Sequence, residues 1–516
     1  MKKDDFNSIY LLNYNEIKLT INDKDSLIII GKAENNFYFI RVIFNKNIFY
    51  ETLHKFPNYI RENIIHSIQS LIEDNRYTMT FSNINEELIF NCILFSIILY
   101  KKNENEKLTI INEKEVKLLK EFNIKYNTNV LDDKVININS KYIGDKGFKE
   151  LSNIKLRANK LILFNNKITD ISPLNSNNFT NLLYINLDNN QIDDLSLLKN
   201  FKLVNLKEIK LNQNKLSNID SLAEANLNHI KNLHLEENKI SDISVLENAN
   251  LENLTVLKLS KNNIVDISCL ENIELLKLKQ LDLSHNEIKN ISILENLRFN
   301  SLITFDLSFN KIKNITIKKY LYFKQLRNLY LNNNKIKEIS INGRIRLNKL
   351  KILNLQFNLI ETITIKKYQT FKKLMELDLS NNKIKDISFF ENLEINEMKN
   401  FYLNNNIIED MDIFGNIDLN KISNLRLEYN LINNINFLKA MKLENLAILF
   451  LHNNKIKNIR PLEGLIIKNL RNITIFNNLI DFELQKNKDI LYNLIESAGN
   501  PFLNIAFTDL TDQIII

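Results

Sequence analysis

The chain contains 516 residues, of which 44% are apolar, and it carries a formal net charge of +7. These values predict a large folded core, and no apolar run reaches the roughly 17–25 residues that span a bilayer, which argues against a membrane protein. The start, MKKDDFNSIY, lacks the apolar segment of a signal peptide. Only two cysteines, Cys92 and Cys269, are present, which is typical of a reducing compartment. We therefore expect a cytoplasmic protein, with a nuclear location left open.

The positive charge comes mainly from lysine, because the chain has only 11 arginines. Surfaces that read bases or clamp phosphates favour arginine and clustered basic residues, so no nucleic-acid partner is expected. A ribonucleoprotein component is the alternative that a strong salt dependence of RNA binding would favour. The abundance of Ile, Lys and Asn indicates coding bias in an AT-rich, protist-like genome.

Residues 1–130 show no repeat and alternate between strand-like and helix-like patterns. EIKLTIND, SLIIIGKA and FYFIRVIF predict strands, and YIRENIIHSIQSLIEDN predicts an amphipathic helix. YTMTFS and LIFNCILF are predicted strands, and NEKEVKLLKEFNIKY is a second predicted helix. A small α+β domain with an antiparallel sheet is expected. An enzyme or nucleotide-binding activity in this part is kept as an alternative function.

Beyond this domain, asparagine recurs with an unbroken spacing of 24 residues. Leu or Ile precedes each of these asparagines by three residues, and Ile follows it by two except at Leu216. The alternating L-x-L core predicts one short strand per unit, and stacked units would form a parallel sheet. A buried Asn carboxamide can hydrogen-bond the turn of its own unit and of the next. The predicted asparagine ladder consists of Asn166, Asn190, Asn214, Asn238, Asn262, Asn286, Asn310, Asn334, Asn358, Asn382, Asn406, Asn430, Asn454 and Asn478.

The pattern LxxLxLxxNxIxxIxxL over residues 158–482 resembles the leucine-rich repeat superfamily. Its continuation, as in NNIVDISCL at residues 262–270, is similar to the subclass of the protein phosphatase one regulatory subunit and the internalins, although the units here are slightly longer. The resemblance implies an α/β repeat solenoid. In it, a curved array with a concave parallel β-sheet and short 3₁₀ or helical turns on the convex side follows the small α+β domain.

Four parts are therefore predicted along the chain. Residues 1–130 form the small domain, residues 131–157 an N-terminal cap, residues 158–482 fourteen repeats and residues 483–516 a C-terminal cap. In the first cap, Lys141 occupies the place of the asparagine. In the second, a helix over about residues 489–498 would cover the last unit, with Gly499 and Pro501 ending it.

No motif for catalysis, a cofactor or a metal is found. P-loop and dinucleotide fingerprints, H-E-x-x-H and paired C-x-x-C are missing from the sequence. His234, His285 and His452 are interpreted as solvated residues of the concave face. The protein is therefore expected not to be an enzyme and to need no cofactor.

Outward positions of the strands, four and one residues before each asparagine, are the candidate binding positions. Exposed aromatic residues on a rigid sheet are typical anchors of protein interfaces, although cross-strand packing would also explain them. Asp282 and Asp306 lie on adjacent predicted strands and could suit a basic partner or a cation. The candidate partner-binding residues are Phe309, Tyr330, Phe357, Tyr402, Tyr429, Phe450, Asp282 and Asp306.

Two lysine groups are also candidates for a charged surface. Lys210, Lys258 and Lys261 predict a basic concave face in the earlier units. Lys318, Lys319, Lys366 and Lys367 fall in two similar segments 48 residues apart, which indicates a duplicated two-unit block with a basic convex patch. In both segments a lysine replaces the Leu or Phe of other units.

These observations predict a non-catalytic interaction scaffold or adaptor that binds a partner protein on the concave face. Regulation of a protein phosphatase or another signalling enzyme is the alternative that the subclass resemblance implies. The oligomeric state and the partner's identity do not follow from the sequence.

Overall fold

A computed structural model describes residues 13–21, 24–32, 37–44, 47–55, 113–128, 130, 134–156, 158–366, 369–498 and 504–506. The chain divides into two compact units. The first comprises Met1–Ile136 with Ile154–Leu156, and the second comprises Asn137–Asn153 with Arg157–Ile516.

The first unit contains an antiparallel sheet of four strands in sequential order. They are β1 (Asn13–Ile21), β2 (Lys24–Lys32), β3 (Phe37–Phe44) and β4 (Asn47–Lys55). The predicted antiparallel sheet is thus confirmed. Strand β4 was not predicted, because Glu51 and Lys55 weaken its apolar pattern.

The predicted second helix of this region is α1 (Glu113–Tyr126). The predictions for YIRENIIHSIQSLIEDN, YTMTFS and LIFNCILF lie outside the described residues.

The repeats form one long sheet of sixteen strands, with one short strand in each unit. In sheet order the strands are β5 (Val135–Asn137), β6 (Lys160–Ile162), β7 (Tyr184–Asn186), β8 (Glu208–Lys210), β9 (Asn232–His234), β10 (Val256–Lys258), β11 (Gln280–Asp282), β12 (Thr304–Asp306), β15 (Asn328–Tyr330), β18 (Ile352–Asn354), β21 (Glu376–Asp378), β23 (Asn400–Tyr402), β24 (Asn424–Arg426), β25 (Ile448–Phe450), β26 (Asn472–Thr474) and β27 (Asn504–Ala506). Neighbouring strands from β6 onward pair in parallel, as predicted.

Strand register follows the 24-residue spacing without a slip. Leu281 of β11 pairs with Leu257 of β10 on one side and with Phe305 of β12 on the other. All three side chains are fully buried. Because one register shift would turn every leucine toward solvent, this buried row fixes which side chains face outward on the concave side.

Most units cross the convex side in a short 3₁₀ turn. An aspartate or asparagine two residues before a serine begins several of these turns; for example, the Ser268 N–H donates to Asp266 Oδ1 at 2.9 Å. Such local side-chain bonds favour a turn over a strand. The 3₁₀ segments are Ser172–Asn175, Asn177–Phe179, Ser196–Asn200, Asp220–Ala223, Ser244–Glu247, Ser268–Glu271, Ser292–Glu295, Ser388–Asn392, Asp412–Asn416 and Arg460–Leu462.

Three consecutive units replace the expected convex turn with strands. Their segments NITI, EISI and TITI are rich in β-branched residues and lack the Asp-x-Ser pair, so an extended conformation is favoured. The middle unit, whose sequence is less similar, shares this conformation, and the duplication of a two-unit block around Lys318 and Lys366 stays a prediction. The strands of these three units are β13 (Asn314–Ile317), β14 (Tyr320–Tyr322), β16 (Glu338–Ile341), β17 (Arg344–Arg346), β19 (Thr362–Ile365) and β20 (Gln369–Thr370). In the next unit, β22 (Leu393–Glu394) follows a 3₁₀ turn and pairs with β20.

Modified units occupy both ends of the array. In the opening unit the Lys141 N–H donates to Asn166 Oδ1 at 3.1 Å, just as the Asn166 N–H donates to Asn190 Oδ1 at 2.9 Å. Lys141 therefore holds the predicted place of the asparagine. The short helix α2 (Gly144–Ser152) follows it, and a one-turn helix, α3 (Phe437–Ala440), replaces the 3₁₀ turn of a late unit.

At the other end, α4 (Gln485–Ala498) begins four residues earlier than predicted. The chain then adds β27 in parallel to β26, a strand that was not predicted from the sequence.

Candidate functional site

The buried asparagines hold the backbone beneath the concave face. Asn310 is typical: its Nδ2 donates to the carbonyls of Leu283, Leu307 and Ser308 at 2.9, 3.1 and 3.1 Å. Its Oδ1 accepts from the Ile288 N–H of the preceding unit at 3.0 Å. Every carboxamide therefore joins two units, and the ladder makes the strand ends a rigid support.

The residue directly before each ladder asparagine has a left-handed backbone. Its φ lies between 52° and 57° in all fourteen units, a conformation that favours Gly and Asn. Seven units place Asn there, but His285, Phe309, Phe357 and Tyr429 are aromatic. Phe309, Phe357 and Tyr429 are 44%, 50% and 51% exposed, so burial does not explain them.

The other candidate aromatic residues end strands of the sheet. Tyr330, Tyr402 and Phe450 occupy the outward position of β15, β23 and β25, and each is half-buried. Tyr330 lies three strands from Tyr402 in the sheet order. The structure therefore does not gather all six candidate aromatic residues into one surface.

Tyr402 and Phe450 are bridged by an arginine that was not among the predicted site residues. Arg426 lies between them on β24, in register with both. Its guanidinium carbon is 5.6 Å from the Tyr402 ring centre and 5.0 Å from the Phe450 ring centre. Such cation–π contacts hold the three side chains in fixed positions. The signal in the sequence was an Arg in a Lys-rich chain, at the outward position between two aromatic residues.

His452 extends this group toward the last units. Its ring stacks on Phe476 at 4.5 Å and meets Tyr429 edge-on at 5.4 Å. Its Nδ1 is 2.6 Å from the Thr474 hydroxyl. We call Tyr402, Arg426, Tyr429, Phe450, His452 and Phe476 the C-terminal concave cluster.

Charges within this cluster are partly buried. Glu428, 6% exposed, lies beside it, and burial raises the pKa of its carboxyl although the charge of Arg426 opposes the shift. Burial lowers the pKa of His452, and the positive charge of Arg426 lowers it further. Within the described part of the chain, Glu428 Oε2 and Arg426 Nε are buried without a hydrogen-bond partner. The cluster therefore presents aromatic surface and one arginine, beside a buried acid whose pKa is raised.

The predicted basic concave face in the earlier units is wrong. Lys210 Nζ lies 3.7 Å from a Glu208 oxygen, and Lys258 Nζ lies 3.7 Å from a Glu236 oxygen. Lys261 pairs with Glu237 at 2.7 Å. These glutamates neutralise the lysines.

Asp282 and Asp306 lie in register on adjacent strands, as predicted. Each Oδ1 accepts two hydrogen bonds from the serine two residues later, Ser284 or Ser308. Burial raises the pKa of Asp306, and the charge of Asp282 adds to the shift. One carboxylate oxygen of each aspartate is thus used inside its own unit. In the residues that the structure describes, no three His, Cys, Asp or Glu side chains gather as metal ligands.

Two of the three histidines interpreted as solvated are not. The side chain of His234 is 12% exposed and lies between Glu208 and Glu236 at 3.6 and 3.8 Å. His452 belongs to the C-terminal concave cluster. His285 is exposed, and its ring stacks on Phe309 at 4.0 Å.

Comparisons with known proteins agree with this architecture. No family model and no curated protein matches the chain. Among solved structures, the APL1 leucine-rich repeat domain aligns at 20% identity with a TM-score of 0.53 and covers 71% of this chain and 88% of its own. The LRIM1/APL1C complex aligns at 20% identity with a TM-score of 0.54, covering 71% of this chain and 62% of its own. An internalin from Listeria monocytogenes has 23% identity and a TM-score of 0.41, covering 81% and 94%.

The chain therefore has the leucine-rich repeat fold, as its repeat pattern predicted. The finer resemblance to the phosphatase-regulator subclass stays a prediction. In the part of the chain that the structure describes, no helix has the length and apolar character needed to cross a membrane.

Proposed function

We propose that this protein is a non-catalytic interaction scaffold whose C-terminal concave cluster binds a partner protein. The observations that carry the proposal are the position of Arg426 between the Tyr402 and Phe450 rings, at 5.6 and 5.0 Å, and the neighbouring Tyr429, which is 51% exposed at a left-handed backbone position. A bulky side chain at a left-handed position introduces backbone strain of about 1–2 kcal/mol, and little of its surface is buried in exchange. Such strain is typical of functional positions, where other interactions maintain it.

The cluster has the composition of an interface centre. Tyr and Arg are enriched among residues that dominate binding energy, and Tyr402, Arg426 and Phe450 are held in place before a partner arrives. Because the side chains are already ordered, binding would lose little conformational entropy. One of the similar structures, LRIM1/APL1C, is a complex, and this supports a protein partner for a chain of this fold.

The test is affinity capture from native extract followed by mass spectrometry, with a direct binding measurement on the purified partner. One bait carries Tyr402→Ala, Tyr429→Ala and Phe450→Ala. The control bait carries Tyr142→Ala and Tyr492→Ala, which remove tyrosines that are 61% and 47% exposed elsewhere in the array. Circular dichroism checks that both variants are folded.

A partner retained by the wild type and the control but lost from the cluster variant is the expected result. In calorimetry, its affinity for the cluster variant should fall at least about tenfold, since a single dominant interface residue contributes about 2 kcal/mol or more. Equal retention by all three baits would contradict the assignment of the cluster. A phosphatase or another signalling enzyme as the captured partner would favour the regulatory alternative.

We also propose an intracellular location. The low cysteine content supports it, as does Cys269, a buried free thiol whose pKa burial raises to about 12.

A further inference from the structure

Positive charge is concentrated in one short part of the array. Residues 307–375 contain sixteen Lys and Arg but only two acids, Glu338 and Glu361, so this segment carries a net charge of +14. The whole chain carries +7, so everything outside the segment is net acidic. The same three units are the ones that replace their convex turns with strands.

The strands arrange these charges on one exposed face. In β14 and β17, Tyr320 pairs with Arg344 and Tyr322 pairs with Arg346. The intervening Leu321 and Ile345 are buried, so the other four side chains point to solvent. Lys318 and Lys319 precede β14 and are exposed, and Lys366 is exposed at the matching position of the third unit. We call Lys318, Lys319, Tyr320, Arg344, Arg346 and Lys366 the basic convex patch.

A close backbone approach builds this face. The Arg344 N–H donates to the Lys319 carbonyl at 3.0 Å, and a Cβ on Gly343 would lie 2.3 Å from that oxygen. Gly343 therefore allows β17 to pack beside β14. Next to it, the buried Gln369 accepts from the Ile345 N–H at 2.8 Å and donates to the Gly343 carbonyl at 3.0 Å. The patch thus rests on a hydrogen-bonded support specific to these units.

The cations of the patch are not neutralised by the chain itself. Elsewhere in the array lysines pair with a glutamate of the preceding unit, as Lys421 does with Glu397 at 2.6 Å. Among the described residues, no carboxylate lies within ion-pairing distance of the side chains of Lys318, Lys319, Arg344, Arg346 or Lys366. The Glu295 carboxylate nearby accepts from the backbone N–H groups of Lys318 and Lys319.

We propose that the basic convex patch binds an acidic, extended segment of a protein partner. Thirteen of the sixteen cations in the segment are lysines, which act as point charges and suit carboxylates better than base edges. Arg346 covers one face of the Tyr320 ring, with its guanidinium carbon 5.3 Å from the ring centre, and this leaves less of the ring for stacking on a nucleic-acid base. Side chains of an extended segment repeat every two residues, about 6.6 Å apart, and could follow β14 and β17.

Fluorescence anisotropy with the full chain tests this surface. The probes are a labelled oligoglutamate peptide and a labelled oligouridylate of equal charge. The patch variant carries Lys318→Gln, Arg344→Gln, Arg346→Gln and Lys366→Gln. The control variant removes the same charge from exposed lysines elsewhere, with Lys439→Gln, Lys442→Gln, Lys455→Gln and Lys457→Gln.

Oligoglutamate should bind the wild type and the control variant with affinities within about twofold, and the patch variant about tenfold or more weakly. Higher salt should weaken the binding, because exposed charges are screened. Equal losses in both variants would show attraction by net charge alone and overturn the proposal. Tighter oligouridylate binding that only the patch variant loses would also overturn it and indicate a nucleic-acid surface.

The C-terminal concave cluster and the basic convex patch can be tested independently of each other. The variant with Tyr402→Ala, Tyr429→Ala and Phe450→Ala should bind oligoglutamate like the wild type, because the basic convex patch lies in other units.

Discussion

Replacing one ladder asparagine tests whether the carboxamides hold the array together. In Asn310→Ala the Ile288 N–H loses its only side-chain acceptor, at 3.0 Å, and the carbonyls of Leu283, Leu307 and Ser308 lose a donor at 2.9–3.1 Å. Asn310 is 6% exposed, so water replaces these partners poorly. The change therefore affects two units at once.

The magnitude follows from the number of groups left unpaired. A buried donor or acceptor without a partner costs about 1–3 kcal/mol. Leaving one N–H and at least one carbonyl unpaired should lower the free energy of unfolding by about 3 kcal/mol. This value is below the maximum for two such groups, because a water in the vacated space would form some of the lost hydrogen bonds. Urea denaturation followed by circular dichroism measures the total.

Hydrogen exchange at the Ile288 amide provides the local measurement, because long repeat arrays can unfold in more than one step. Its opening free energy should fall with the global value. The matched control is Asn348→Ala, which makes the same chemical change at an exposed position and should stay within about 0.5 kcal/mol of the wild type. A loss below about 1 kcal/mol with unchanged exchange at Ile288 would refute the structural role of the ladder.

Three further predictions concern backbone strain, ionisation and close approach. Phe357→Val should lower the free energy of unfolding by about 1 kcal/mol or more relative to Phe357→Asn in urea denaturation, because φ is 52° there and a β-branched residue tolerates that conformation poorly. Glu428→Gln should raise the free energy of unfolding at pH 7. The raised pKa of this acid penalises its ionised form in the folded state, so the gain should disappear below the ordinary value of 4.5, as denaturation at pH 7 and pH 4 would show. Gly343→Ala should lower the melting temperature more than Gly415→Ala, because the new Cβ meets a backbone oxygen at 2.3 Å in the first and a side-chain carbon at 3.1 Å in the second.

The repeat architecture was predictable because each of its rules acts within one unit. An L-x-L strand must hide its leucines, and a buried turn must satisfy its N–H and C=O groups. Fourteen units with this strand and turn, at constant spacing, therefore predicted a single stacked array for residues 158–482. The place of Lys141 followed from the apolar pattern around it, although it precedes Asn166 by 25 residues instead of 24, and its N–H makes the same kind of hydrogen bond as the Asn166 N–H.

Features that depend on contacts between units were not predictable. Lys210 and Lys258 formed a basic row in the sequence, but Glu208 on the same strand neutralises Lys210, and Glu236 of the preceding unit neutralises Lys258. In the convex segments a 3₁₀ turn competes with an extended strand. Without the Asp-x-Ser pair the β-branched residues adopt the extended conformation and pair with the neighbouring unit. The bridge that Arg426 makes required both neighbouring strands to be placed first.

An array of repeats supplies fourteen versions of every position, so departures from the common residue can be recognised within a single sequence. The left-handed position before each ladder asparagine is one example. Asn is compatible with this backbone conformation and occupies the position in seven units. Phe309, Phe357 and Tyr429 are strained in it and yet remain about half exposed. The convex side shows it again, since acids are nearly absent only in residues 307–375. Burial explains neither departure, and one lies in the turn after the concave strand whereas the other lies on the convex strands. Selection for two separate contacts is therefore the simpler explanation. Variants that remove one set of side chains should therefore leave binding by the other unchanged.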